Sequence, residues 1–251
     1  MKYVCILREE RPVWGVLQGD TVRTLTAPPY EGICYDGGSL SLGECTLLAP
    51  CAPTAKIVCV GKNYYDHAME MGEGVPENPI LFLKAANTIN HPEGEVHAPG
   101  FVSRLDYEGE LAVVIKRRAK NVKPESFADY ILGFTCLNDV TARDVQKGDG
   151  QWTRGKSMDG FAPVGPVVTD ETDGADLAIQ TRLNGRVVQS SRTSCLMHGV
   201  PELISFITAS MTLEPGDVVA TGTPAGIGPM VPGDTVEVEI QDVGVLRSHI
   251  V

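Results

Sequence analysis

The chain has 251 residues, 43% of them hydrophobic and 21% charged, which is enough apolar surface for one large core and excludes a disordered, collagenous or coiled-coil protein. Acidic residues outnumber basic ones by 32 to 21, a formal charge of −11, and such a field repels phosphate backbones, so nucleic acid is not an expected partner. The longest uncharged stretch, 218–233, is broken by four glycines and three prolines and makes no membrane helix; only residues 3–7 separate Lys2 from the charged cluster 8–11, too few for a secretory core segment, so a cytoplasmic protein without a membrane partner is expected.

In chain order, 3–7, 14–17 and 22–25 read as short strands of a hairpin-like unit. Residues 31–42 read as loop, and Ala49-Pro50-Cys51-Ala52-Pro53 as a stiff linker. This predicts a small N-terminal β domain over 1–50 and a second unit over 52–251. The second unit opens with a buried strand at 56–61 and continues with strands at 80–83, 111–115, 164–168, 178–183, 218–221 and 236–240. Helices are expected at 138–146 and at 201–211, the latter with Pro201 in its first turn and an apolar stripe at 200, 203, 204 and 207. No regular βαβ alternation appears, so the expected class is α+β, rich in β. The basic cluster 116–120 lacks interleaved aromatics and reads as a solvated turn. Seven cysteines without a CxxC pair fit reduced thiols used as small apolar side chains.

Chemistry concentrates in a few segments. In Asp106-Tyr107-Glu108-Gly109-Glu110, a strand places Glu108 and Glu110 on one face, continued by Ala112 and Val114, so both carboxylates lead into buried surface. Two like charges ~4 Å apart repel by about 4 kcal/mol at an effective dielectric near 20; the fold must protonate one, expose both, or supply a cation. If 138–146 is helical, Asp139, Arg143 and Gln146 share a face, adding a third carboxylate beside a guanidinium that can grip a substrate carboxylate. An ordinary helix ion pair explains the same spacing. His67 and Glu70, three apart on a short helix capped by Asn63 and closed by Gly72, form a candidate general base with its orienting carboxylate, or a plain surface pair. Lys156 lies in a turn-dense loop and could stabilise an enolate or the metal's carboxylate shell, or be a solvated loop lysine. Thr221-Gly222-Thr223-Pro224 could offer N–H groups and a hydroxyl to an anion, or be a tight turn.

Taken together, Gly61-Lys62-Asn63-Tyr64 with His67 and Glu70, Asp106 to Glu110, Asn138-Asp139 with Arg143 and Gln146, Lys156-Ser157-Met158-Asp159-Gly160, Asn184-Gly185, 212–217 and Thr221-Gly222-Thr223-Pro224 resemble the fumarylacetoacetate hydrolase superfamily. The resemblance covers about residues 52–251. It implies a mixed β-sandwich roll behind a small N-terminal domain, found as a homodimer. It implies Mg²⁺ or Mn²⁺ held by Glu108, Glu110 and Asp139, with His67, Glu70 and Lys156 catalytic. Asn63, Tyr64, Lys84, Arg143, Gln146 and Thr223 are then implied as contacts of a small 2-oxo acid. The first activity implied is hydrolysis of acylpyruvates. Oxaloacetate decarboxylation or tautomerisation, or hydroxyheptadienedioate isomerisation, are the alternatives on the same site; a hydroxydienoate hydratase or a non-enzymatic metal-binding module stand behind them. Lys62, where Arg is common, and Ala85-Ala86 after Lys84 are departures that bear on the substrate's distal group.

Overall fold

The computed structural model of the chain describes residues 1–70 and 76–251. Strands β1 (Lys2–Arg8), β2 (Arg11–Gln18), β3 (Thr21–Leu25) and β4 (Tyr35–Ser41) form an antiparallel meander, and β5 (Thr46–Leu48) returns along β1. The expected loop at 31–42 thus contains an edge strand. Its Gly37-Gly38 and polar residues carry no strand signature; the backbone pairing with β3 is supplemented by the Thr24–Asp36 hydrogen bond and by Arg23 over the Tyr35 ring. Two residue pairs, Lys2 with Thr169 and Tyr3 with Val168, join β1 to the rest of the molecule, so the N-terminal strands continue the large sheet.

Next come β6 (Ile57–Gly61), α1 (Tyr65–Glu70), β7 (Ile80–Lys84), β8 (Ile89–Asn90), β9 (Gly94–Val96), β10 (Leu105–Tyr107), β11 (Gly109–Ile115), β12 (Ile131–Asn138) and β13 (Thr141–Ala142). They are followed by α2 (Arg143–Asp149), α3 (Thr153–Lys156), β14 (Ala162–Thr169), β15 (Ala178–Leu183), β16 (Arg186–Arg192), α4 (Val200–Ser210), β17 (Val218–Ala220), β18 (Gly228–Met230), β19 (Thr235–Ile240) and β20 (Gly244–Ile250). The largest sheet runs β4-β3-β2-β1-β14-β12-β11-β17-β6-β7, with β5 and β8 alongside; a second runs β16-β15-β19-β20-β9, and a third β13-β10-β18. The result is β-rich with a few short helices, as expected. Among the described residues no helix is long and apolar enough to cross a membrane.

The helix expected over 138–146 is corrected: 131–138 is a strand, and helix starts only at Arg143. Strand β12 is buried along its whole length between β11 and β14, and its continuous apolar run fits a strand covered on both faces. The β-branched Val140 and Thr141 then favour extended backbone over another helical turn. Strands β5, β8, β9, β13, β16, β18 and β20 were not anticipated. The other helix holds to within one residue: α4 buries Val200, Leu203, Ile204 and Ile207 in a core shared with Leu111, Val113, Phe134, Ile179 and Val238, each such side chain contributing roughly 1.5–3 kcal/mol.

One topological feature positions the chemistry. In the large sheet β12, β11 and β17 are neighbours; in the small sheet β13, β10 and β18 are neighbours in the same order. Each of three chain segments therefore bends from one sheet into the other side by side, at Glu108, at Asp139-Val140 and at 221–227.

Candidate active site

The three bends bring the acidic side chains together. Glu108 sits where β10 passes into β11, and Asp139 where β12 passes into β13, with the Asp139 N–H donating to the Glu108 carbonyl at 2.8 Å. Glu110 lies two residues on, on the same face of β11 as the buried Ala112, as alternation requires. One ligand oxygen from each of Glu108, Glu110 and Asp139 lies within 4.8 Å of the others, and the three residues are at most 4% exposed.

Cations compensate two of these carboxylates and neglect the third. Lys156 Nζ donates to Glu108 Oε2 at 2.8 Å and Asp139 Oδ2 at 2.7 Å, while Lys84 Nζ donates to Asp139 Oδ1 at 2.6 Å and the Val140 carbonyl at 3.0 Å. Arg143 pairs through Nη2 with Glu108, through Nε with Asp106 at 2.8 Å, and through Nη1 with Gln146 Oε1 at 2.6 Å. Burial alone would raise the Glu108 carboxyl, but Lys156 and Arg143 outweigh it and hold the group well below the usual carboxylate range. Burial, reinforced by the charges of Asp139 and Glu108, pushes Glu110 well above that range. Its hydrogen bond comes from the Gly222 N–H at 2.8 Å, and among the described residues it has no ion pair. Burial works against the Lys156 ammonium, yet Asp139 and Glu108 prevail and raise it.

A divalent cation fits this set. Three hard carboxylate oxygens converge, one of them lacks a counter-charge among the described residues, and the cluster opens onto a cleft where water or a chelating ligand can complete the coordination.

The cleft encloses about 250 Å³ and is lined by the three carboxylates, Lys62, His67, Arg143, Gln146, Lys147, Lys156 and Thr223, with Val60, Phe82 and Trp152 among its apolar residues. His67 Nδ1 lies 3.2 Å from Glu70 Oε2, and Glu70 in turn accepts the Gly226 N–H at 3.1 and 3.2 Å. The 221–227 bend thus touches the acidic cluster through Gly222 and the His67–Glu70 pair through Gly226.

The structure separates the expected substrate contacts into two groups. Arg143, Gln146 and Thr223 line the cleft; Asn63, Tyr64 and Lys84 do not. The Asn63 amide donates to the Thr221 and His198 carbonyls at 2.8 and 3.0 Å and accepts the His198 N–H at 2.9 Å. It ties the start of α1 to the lead-in of α4 and does not cap the helix, and Gly72, expected to close that helix, lies outside the described residues. Tyr64 is buried, its hydroxyl without a partner among the described residues. Lys84 is fully buried behind Asp139, so it acts through that carboxylate.

Two residues escaped the sequence reading. Asp106, fully buried and given no role by the motif that contains it, accepts Arg104 on both of its oxygens and Arg143 on Oδ2; its alternation with Glu108 and Glu110 was the available signal. Gln189 on β16 accepts the Gly109 N–H at 3.0 Å and donates to Thr223 Oγ1 and the Pro224 carbonyl, both at 2.8 Å, and nothing in its neighbourhood of sequence marks it.

Comparison with known proteins places this geometry. The profile of the family described as fumarylacetoacetate (FAA) hydrolase, C-terminal, matches residues 56–251. The chain belongs to the fumarylacetoacetate hydrolase family. A second profile, Rv2993c-like, N-terminal, matches residues 1–50 of this family member. An uncharacterized protein of Archaeoglobus fulgidus is 51% identical over 218 residues, 87% of each chain. Oxaloacetate tautomerase YisK of Bacillus subtilis is 40% identical, covering 84% of this chain and 74% of that protein. Among solved structures, 2-hydroxyhepta-2,4-diene-1,7-dioate isomerase from Mycobacterium marinum superposes with a TM-score of 0.93 at 40% identity, covering 100% of this chain and 98% of that one. Of these relatives one is named a tautomerase and one an isomerase.

Proposed function

We propose that this protein is a Mg²⁺-dependent tautomerase of oxaloacetate-type 2-oxo acids. The observation that carries the reading is the His67–Glu70 pair facing the Glu108–Glu110–Asp139 cluster across one small cleft, in a chain 40% identical to an oxaloacetate tautomerase. Keto–enol interconversion moves one proton between the carbon next to the 2-oxo group and the 2-oxo oxygen, with no bond made to water. Glu70 engages Nδ1 of His67 and leaves Nε2 to take or return the carbon-bound proton. Lys156 gives two of its three N–H donors to Glu108 and Asp139, leaving one for the oxygen that gains charge. Bound Mg²⁺, held by Glu108, Glu110 and Asp139, would supply Lewis-acid charge to the substrate's carboxylate and 2-oxo oxygens. Thr223, fixed by Gln189, and Gln146, fixed by Arg143, border the space left for substrate.

Isomerisation of a hydroxydienedioate is a second reading, favoured by the Mycobacterium marinum structure. It also shuttles a proton beside a 2-oxo or enol group and uses the same pair.

Parallel assays of oxaloacetate tautomerisation, hydroxyheptadienedioate isomerisation and acylpyruvate cleavage on the Mg²⁺-loaded protein test these readings. Tautomerisation is expected to be fastest, and His67→Ala is expected to slow it by about 10²–10⁴ while Mg²⁺ affinity persists. Faster acylpyruvate cleavage, or tautomerisation indifferent to His67, would reject the proposal.

A further inference from the structure

The cleft has a direction. Its inner end is the buried acidic cluster; its outer end is the C-terminal part of α2 and the turn into α3, where Lys147 is exposed. Arg143 and Lys147 stand four residues apart on α2, which puts them on one helix face a single turn apart, and both line the cleft. Their circumstances differ. Arg143 is held by Asp106, Glu108 and Gln146 and Lys156 by Glu108 and Asp139, which ties both to the inner end of the cleft; Lys62, which also lines it, is engaged in a contact of its own. The exposed Lys147 side chain makes no hydrogen bond or ion pair with any described residue.

Trp152 fixes the wall beside it. A Cβ on Gly61 would meet the indole at 2.7 and 2.9 Å, so the ring lies flush against glycine backbone. It packs edge-on against Phe82 at 5.2 Å and 74°, and Phe82 lies 5.0 Å below the Lys156 ammonium. A cleft of about 250 Å³ falls below the roughly 300–1,000 Å³ usual for ligand pockets, which favours a substrate of few carbons.

We propose that Lys147 receives the distal carboxylate of a short 2-oxo dicarboxylate and that Trp152 sets the chain length the cleft accepts. The inference rests on the reading that a 2-oxo acid occupies the cleft, and it narrows that class to dicarboxylates of about oxaloacetate's length.

Calorimetric binding to the Mg²⁺-loaded protein tests it with three probes. These are oxaloacetate, 2-oxobutanoate (the same chain with a methyl in place of the distal carboxylate) and the longer 2-oxoadipate. Lys147→Gln is expected to weaken oxaloacetate by about fivefold, the reach of an exposed ion pair, without moving 2-oxobutanoate. Lys147→Arg is expected to restore it, and added salt to erode the wild-type preference. Trp152→Ala is expected to improve 2-oxoadipate relative to oxaloacetate by about tenfold. Equal losses for oxaloacetate and 2-oxobutanoate, or no loss, would overturn the role of Lys147 while leaving the proposed function standing. Unchanged length discrimination in Trp152→Ala would overturn the role of the wall. A Mg²⁺-loaded protein that binds none of the three acids would remove the proposed function and this inference together.

Discussion

Glu110 is the residue on which the acidic cluster turns. Its carboxyl is raised, first by burial and then by Asp139 and Glu108, so without a cation the folded protein keeps a proton that the unfolded chain gives up. Below the ordinary carboxylate range both states are protonated and nothing is lost. As pH climbs from that range toward the raised folded value, only the unfolded state releases its proton, and stability falls. Glu108 behaves oppositely: its depressed carboxyl contributes stability above the ordinary range, and this is lost as pH falls through its folded value. Glu110→Gln is therefore expected to melt higher than wild type in metal-free buffer at neutral pH and no higher near pH 4, each kcal/mol regained appearing as about 2–4 °C. The same variant is expected to lose more than about tenfold in divalent-ion affinity. Thermal melts at both pH values with a metal titration check this; parallel melting at neutral pH would mean that Glu110 is already ionised. The sequence carried this residue plainly, because its alternation with Glu108 leads into Ala112 and Val114. It did not carry the ion-pair arithmetic that leaves Glu110 without a counter-charge among the described residues, since Lys84, Arg143 and Lys156 arrive from three remote segments.

Helices α2 and α3 meet where one glycine permits it. A Cβ at Gly155 would lie 2.7 Å from the Gln146 nitrogen and 2.8 Å from its Cα, backbone atoms that no rotamer change can move. Gly155→Ala is expected to force the two helices apart at a cost of about 1–3 kcal/mol, and to lower turnover because Lys156 and Gln146 flank the contact. Melting temperature and turnover measured on one preparation check both; an unaffected turnover would show that Lys156 is placed by its carboxylates alone. Legibility at this scale was uneven. Strand β11 announced itself by its unbroken apolar run, and α4 by Pro201 and its stripe. Residues 138–146 misled because Asp139, Arg143 and Gln146 have helical spacing while Asp139 lies in the bend before the helix. Only Arg143 and Gln146 are helical neighbours in fact. Gln189 was illegible because its burial is imposed by the 221–227 bend, which lies thirty-odd positions downstream.

Across the whole molecule the site is a product of topology. Three adjacent strands leave the largest sheet and enter the smallest in the same order, so Glu108, Asp139 and Thr223 converge only when both sheets are complete. An ion bound there is linked to global folding. At one hundred times its dissociation constant it would add about 2.7 kcal/mol, so saturating Mg²⁺ is expected to raise the melting temperature by about 5–10 °C, with a chelator reversing the gain. A metal-independent melt would argue against ligation at this cluster. The β-rich class was readable from many short apolar runs between Gly, Pro and Asp, whereas the register that aligns the three bends is a property of strand pairing between distant segments and has no local signature.

The 221–227 segment grips two partners at once, the Glu110 carboxylate through the amide of Gly222 and the Glu70 carboxylate through that of Gly226. A displacement of this one strap would release the Glu110 carboxylate and the His67–Glu70 pair in the same stroke. On the proposed reading the ion site and the proton-transferring pair would then fail together, because both hang on one strap.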